Sequence, residues 1–137
     1  MAKQDLHNNV KVTPGLLAQS IASNTTVVGP IIDTQGFESV EYALQTAGIT
    51  DGVFTPAIYE DDAPAMGTEN VVAAADLLGT VANATFNLAA DANKSKKLGY
   101  KGGKRYVRLK VTTTGITTGG AIAAVAVLSD AANKPVP

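Results

Sequence analysis

The chain has 137 residues, eleven Lys or Arg against twelve Asp or Glu, a formal charge of −1, and neither cysteine nor tryptophan. That length predicts one domain, since two would each be too small to bury a core. The charge balance argues against wholesale nucleic-acid binding, and the missing cysteine excludes disulfides and thiolate metal sites.

The polar start, Met1 to Asp5, predicts no signal peptide. No apolar run approaches the roughly 20 residues a membrane helix needs, so a soluble protein outside the usual export route is expected. Fifteen Thr and fourteen Val favour strands, while twenty-two Ala pull towards helix.

Residues 1–15 read as a polar N-terminal arm, ended by the turn signal Pro14-Gly15. Residues 16–132 read as the folded domain and 133–137 as a loose tail. A short strand is expected over Leu16 to Ser20. A better one runs from Thr25 to Asp33, bulged or placed at an edge by Gly29-Pro30. Thr34-Gln35-Gly36 turns the chain. Phe37 to Thr46 then alternates, with Val40, Tyr42 and Leu44 on one face. Asp51-Gly52 is a hairpin dipeptide, and Val53 to Tyr59 reads as its return strand. Pro56 inside that strand predicts an edge or a bulge.

Glu60 to Gly67 is an acidic loop. Glu69 to Leu78 is readable as a short helix or a strand. Ala84 to Leu88 reads as a strand, Ala89 to Ser95 as a loop, and Lys96 to Tyr100 as extended. Gly102-Gly103 turns into the clearest strand, Arg105 to Thr114. There Val107, Leu109 and Val111 oppose Tyr106, Arg108 and Lys110. After a Gly115 to Gly120 loop, Ala121 to Leu128 is apolar on both faces. It is either central in a sandwich or covered by a second subunit; a buried helix is the competing reading. Val125 in this strand is a candidate interface residue. Eight or nine short strands with frequent turns define an all-β sandwich, jelly roll or barrel.

Little in the chain suits catalysis. A Ser or Thr nucleophile would need an oriented base, and the single histidine, His7, lies in the arm. Glu60-Asp61-Asp62 lacks calcium-loop spacing and reads as a solvated loop. Gly99 to Lys104 resembles a phosphate loop only superficially, because Arg105 follows the lysine and a strand follows the loop. No enzyme, cofactor, metal or small-molecule substrate is expected.

Charge is sorted along the chain. No base lies between Lys11 and Lys94, a stretch holding ten of the twelve acids, and eight of the eleven bases crowd into Lys94 to Lys110. Strands from the two halves either interleave in space and cancel this asymmetry, or leave a basic cluster that includes Lys96, Lys97, Lys101, Lys104 and Arg105. Such a cluster fits an acidic protein surface, a solvated face, or nucleic acid stacked on Tyr100 and Tyr106. In the arm, Lys3, Asp5, Leu6 and His7 are the candidate contact residues.

Several segments fall in a familiar order. They are Lys3-Gln4-Asp5-Leu6-His7-Asn8-Asn9, Ile32-Asp33-Thr34-Gln35-Gly36-Phe37-Glu38-Ser39, Ala75-Asp76-Leu77-Leu78-Gly79, Gly99-Tyr100 with Arg105-Tyr106-Val107-Arg108, and Thr117-Thr118-Gly119-Gly120 before the last Ala/Val strand. Over nearly the whole chain this resembles the capsid cement (decoration) proteins of tailed bacteriophages, the group typified by a Bordetella phage. The resemblance implies a jelly-roll-like β-sandwich with an extended N-terminal arm, a homodimer, and attachment outside an icosahedral shell assembled in the host cytoplasm. There it would bridge major capsid protein subunits. It carries over no individual site residue. A tail-tube or head–tail joining protein and a carbohydrate-binding module of the virion are the alternatives. The second is poorly supplied, with four Tyr and three Phe for sugar stacking.

Overall fold

The structure is a computed structural model and describes residues 4–87 and 89–137. In chain order its strands are β1 (Lys11–Ile21), β2 (Thr26–Val28), β3 (Ile32–Asp33), β4 (Phe37–Ile49), β5 (Val53–Asp61), β6 (Asn70–Val71), β7 (Leu77–Leu78), β8 (Phe86–Asn87), β9 (Ser95–Tyr100), β10 (Tyr106–Thr114) and β11 (Gly120–Ala131). The one α-helix among the described residues, α1 (Val81–Ala84), is a single turn capped by the Thr80 side chain, and short 3-10 turns cover His7–Asn9, Ala74–Asp76 and Ala89–Asp91.

All strand pairs are antiparallel and fall into two sheets. The five-stranded sheet runs β1-β11-β4-β9-β7. The six-stranded sheet runs β2-β10-β5-β6, with β3 also on β10 and β8 also on β5. Count β2 with β3 as one broken strand, count β6 with β8 as another, and set aside the two-residue β7. The strand orders then read first-eighth-third-sixth and second-seventh-fourth-fifth. That is the double Greek key of a jelly roll, so the all-β sandwich expected from the sequence is the observed fold.

The inner faces of the two sheets make the core. From β4 come Val40, Tyr42 and Leu44, from β5 Phe54 and Ile58, from β10 Val107, Leu109 and Val111, and from β11 Ile122, Ala124, Ala126 and Leu128, all at most 5% exposed. Each large side chain buried in this way contributes about 1.5–3 kcal/mol. Alternation in β4, β10 and β11 therefore fixes which face turns inward.

Several boundaries differ from the sequence reading. Lys11 to Gly15, expected in the arm, form the start of β1, paired through Lys11↔Leu128 to Pro14↔Val125. Pro14 is tolerated because β1 is an edge strand, and the register shifts between Pro14 and Leu16 where a turn was expected. The chain passes here at close quarters. A Cβ on Gly29 would sit 2.0 Å from the Gly15 carbonyl oxygen, which is why glycine stands at the break between β2 and β3. The tail is also anchored: the Val136 amide donates to the Asn8 carbonyl, and Val136 is buried.

Asp51-Gly52 does not close a hairpin. Both edges of β4 are already taken by β11 and β9, so the chain crosses to the other sheet as β5. Gly52, at φ +92°, makes the bend. Pro56 lies in a strand flanked on both sides. On the side away from β10, β8 pairs with Val53 and Phe54, and β6 with Tyr59 and Glu60. Pro56 falls in the gap between them, where no amide is needed. Glu69 to Leu78 is neither one helix nor one strand; β6, a 3-10 turn and β7 divide it. Ala84 closes α1, β8 covers only Phe86–Asn87, and Leu88 lies outside the described residues. The buried-helix reading of Ala121 to Leu128 is overturned, because β11 is an inner strand of its sheet, between β1 and β4.

Candidate interaction surfaces

The two halves of the sequence interleave, and most of the basic cluster is neutralised within the chain. Arg105 on the approach to β10 forms a two-pronged pair with Asp33 of β3, at 2.9 and 2.7 Å. Lys104 pairs with Asp62. Glu69, just before β6, accepts from Arg108 at 2.5 Å and also from Lys110, tying the outer side of β10 to the β6 edge. Lys94 and Lys96 both reach Asp91, and Lys96 also donates to the Thr85 carbonyl. Hydrogen bonds from Arg105 and Arg108 hold the Asp33 and Glu69 carboxyls below the usual carboxylate range. Of the eight bases from Lys94 to Lys110, only Lys97 and Lys101 have no ion pair among the described residues. A single free basic patch is therefore not formed.

The acidic loop disperses in the same way. Glu60 accepts from the Tyr100 hydroxyl at 2.6 Å, Asp62 takes Lys104, and Asp61 accepts from the amides of Ala63 and Thr68. Backbone donors hold the Asp61 carboxyl down. Three adjacent acids thus serve three separate partners and do not converge on one point. A groove of about 480 Å³ runs from Thr34–Glu38 to Gly102–Arg105, but its Lys104 and Arg105 are the cations already paired. On the outer side of the six-stranded sheet, Lys110 lies 4.2 Å from the centre of the Tyr59 ring and covers the aromatic face a sugar would stack on.

At the N-terminus, Asp5 accepts from the amide and side chain of Asn8 and so caps the His7–Asn9 turn. That lowers the Asp5 pKa. Leu6 is 69% exposed and His7 is exposed. Lys3 lies outside the described residues. At the opposite end of the sandwich the Asp51 carboxylate accepts from the amides of Thr117, Thr118 and Gly119, at 2.8 to 3.1 Å. These bonds close the Gly115–Gly119 loop over the β4–β5 bend and hold the Asp51 pKa down.

The outer face of the five-stranded sheet is different in character. Its outward rows are set by register: Val12, Val127, Glu41, Gly99 and Leu78 in one, and Pro14, Val125, Ala43 and Lys97 in the next. Ala123 and Gln45 follow, beside the bulged Leu17 of β1. Val12 is 61% exposed, Leu17 64%, Leu78 50% and Val125 42%, half of the eight large hydrophobic side chains that stand exposed among the described residues. Such a clustered apolar surface on a rigid sheet is a mark of an interaction site.

Two charged side chains lie within these rows. Glu41 leans over Gly99, where a Cβ would meet its carboxylate at 2.7 Å. Partial burial pushes the Glu41 carboxyl up, and nearby Lys97 only partly offsets this. The sequence pointed to Val125 here but not to Val12, Leu17, Leu78 or Glu41. The bulges in β1 break the alternation that would have revealed Val12 and Leu17 as one outward set. Lys97 was found for its charge, as part of the basic cluster.

No family model and no curated protein matches the chain in sequence. Solved structures match its shape. The PBSX exported protein XepA superposes over 99% of this chain with a TM-score of 0.56 at 14% identity. The chain covers 42% of XepA, less than half of that protein's length. The SPBc2 prophage-derived protein YomS gives 0.48 at 13% identity over 88% of this chain and 92% of its own. The structure of infectious bursal disease virus gives 0.44 at 13% over 92% of this chain and 34% of that one. XepA shares the fold.

Proposed function

We propose that the chain is a structural protein of a tailed-phage particle and not an enzyme. In this reading it binds the outer surface of an icosahedral capsid as a homodimer and bridges neighbouring major capsid protein subunits. One observation carries the proposal: a rigid two-sheet body presents the apolar outer face around Val125, with nothing among the described residues to cover it. Sequence resemblance to cement proteins supplies the particle, and the double Greek key is compatible with it.

Association through sheet edges is the poorer route. Pro14 and the bulges blunt β1, Pro30 interrupts the β2–β3 edge, and the opposite edges are two-residue strands. A face leaves these protections intact. With that face between the two copies, the exposed Leu6 and His7 of the N-terminal turn and the unpaired Lys101 remain for the shell.

The test is to mix the purified protein with empty capsids and image them. Density at fixed symmetry positions on the exterior, each spanning two capsid subunits, is the expected result. Failure to bind shells, or self-assembly of the free protein into rings or tubes, would overturn the proposal.

A further inference from the structure

The outer face of the five-stranded sheet carries its own charge code. Register places four residues at the corners of one cell. Glu41 faces Gly99 across the β4–β9 pair, and Ala43 faces Lys97 one row away. The two charged residues therefore occupy one diagonal and the two smallest residues the other. Ala123, diagonal to Ala43 on β11, extends the line of small residues beyond the cell.

Glu41 and Lys97 differ from their neighbours in sequence. Six of the eight bases from Lys94 to Lys110 are in ion pairs, and Lys97 is not; Glu41 likewise has no hydrogen bond or ion pair among the described residues. One acid and one base make these rows neutral in sum. The pair is exchanged by a two-fold axis lying between stacked sheets along the Ala43–Gly99 diagonal. The same axis runs over Ala43, whose side chain is a single carbon, and over Gly99, where the Glu41 carboxylate already lies.

We infer that Glu41 and Lys97 determine how two copies of this chain pair, Glu41 of each meeting Lys97 of the partner subunit across a two-fold axis along the Ala43–Gly99 diagonal. The inference rests on the reading of this face as an interface between copies and adds its register. Self-complementarity of this kind is what an isologous interface requires. The apolar rows around Val125 supply the buried area, and the two symmetric ion pairs select one orientation among the many that a flat apolar face would accept.

The test is charge exchange, read by sedimentation velocity over a concentration series. Glu41→Lys alone and Lys97→Glu alone each set like charges against each other at both symmetric contacts. Each is expected to weaken dimerisation by about tenfold or more. The double variant Glu41→Lys/Lys97→Glu restores the pairing and is expected to return to within about threefold of the parent, well inside one such step. Single variants that dimerise normally, or a double variant no better than the singles, would overturn the inference. Thermal melts confirm that the variants fold. Val125→Asp is run beside them. If it too leaves dimers intact, the face is not an interface and the underlying reading falls. If it alone abolishes dimers, the face stands and only the charge code fails.

Discussion

Tyr42 offers a stringent check on how the two sheets close on each other. Its ring lies in the core at 0% exposure, and its hydroxyl has no hydrogen-bond partner among the described residues. Burial pushes the Tyr42 phenol far above its ordinary range, so it is protonated at neutral pH. An unpaired buried hydroxyl costs about 1–3 kcal/mol relative to the unfolded chain, where water satisfies it. Tyr42→Phe removes that cost and leaves a void smaller than a methyl group, worth less than about 1 kcal/mol. The net expectation is a gain of about 1 kcal/mol. For 137 residues at about 2.1 cal/mol/K each, the unfolding entropy converts this to a rise of roughly 3–4 °C in Tm. Urea titration and thermal melting of parent and variant read the difference directly. A loss of about 1 kcal/mol or more would refute the reasoning. It would mean that the hydroxyl is bonded in the folded protein and that the space between the sheets is not dry.

Other expectations follow from the same packing and charges. Gly29→Ala drives a Cβ towards the Gly15 carbonyl oxygen at 2.0 Å, backbone against backbone, and should cost about 3 kcal/mol or more in denaturant titration. Gly48→Ala, with no atom within 4 Å of the new Cβ, should stay within about 0.5 kcal/mol of the parent. The depressed carboxyls Asp33, Asp51, Asp61, Glu69 and Asp91 stabilise the fold when ionised. Their contribution is complete above the unfolded carboxyl range and lost as pH falls through the lower folded values. Tm should therefore drop steadily below about pH 4. Asp51→Asn should lower Tm at neutral pH and make that acid drop shallower; an unchanged acid profile would remove Asp51 from the explanation. Glu41 has the opposite sign, since its raised pKa favours the protonated form in the folded chain.

The sheets were legible wherever alternation ran unbroken. In β10, Val107, Leu109 and Val111 announce the inner face from the sequence, and the same holds for Val40, Tyr42 and Leu44 in β4. Pairing partners were not legible. Asp51-Gly52 has the chemistry of a hairpin turn but joins two sheets, because occupation of the β4 edges is a property of strands far away in sequence. Pro56 could not be placed for the same reason: the gap that tolerates it is bounded by β6 and β8. The basic run from Lys94 to Lys110 read either as a surface awaiting a partner or as charge cancelled by interleaved strands, and the second holds for six of its eight bases. Its partners are Asp33, Asp62, Glu69 and Asp91, brought alongside by the double Greek key. What sequence did foreshadow is the two-faced apolarity of β11, and there the structure separates buried Ala124 and Ala126 from exposed Val125. An apolar outward face cannot be told from a second core face by pattern alone; burial decides it.

The chain has no cysteine, so a single introduced thiol reports one position cleanly. Val125→Cys sits on the proposed face, and Val71→Cys sits on β6 in the other sheet, with Val71 60% exposed. Thiol labelling is followed from dilute to concentrated protein and on decorated capsids. The thiol that replaces Val125 should react freely when dilute and become at least about tenfold slower on association, while the thiol on β6 reacts alike throughout. Equal labelling of both positions at every concentration and on the particle would contradict the claim that this protein works by covering that face.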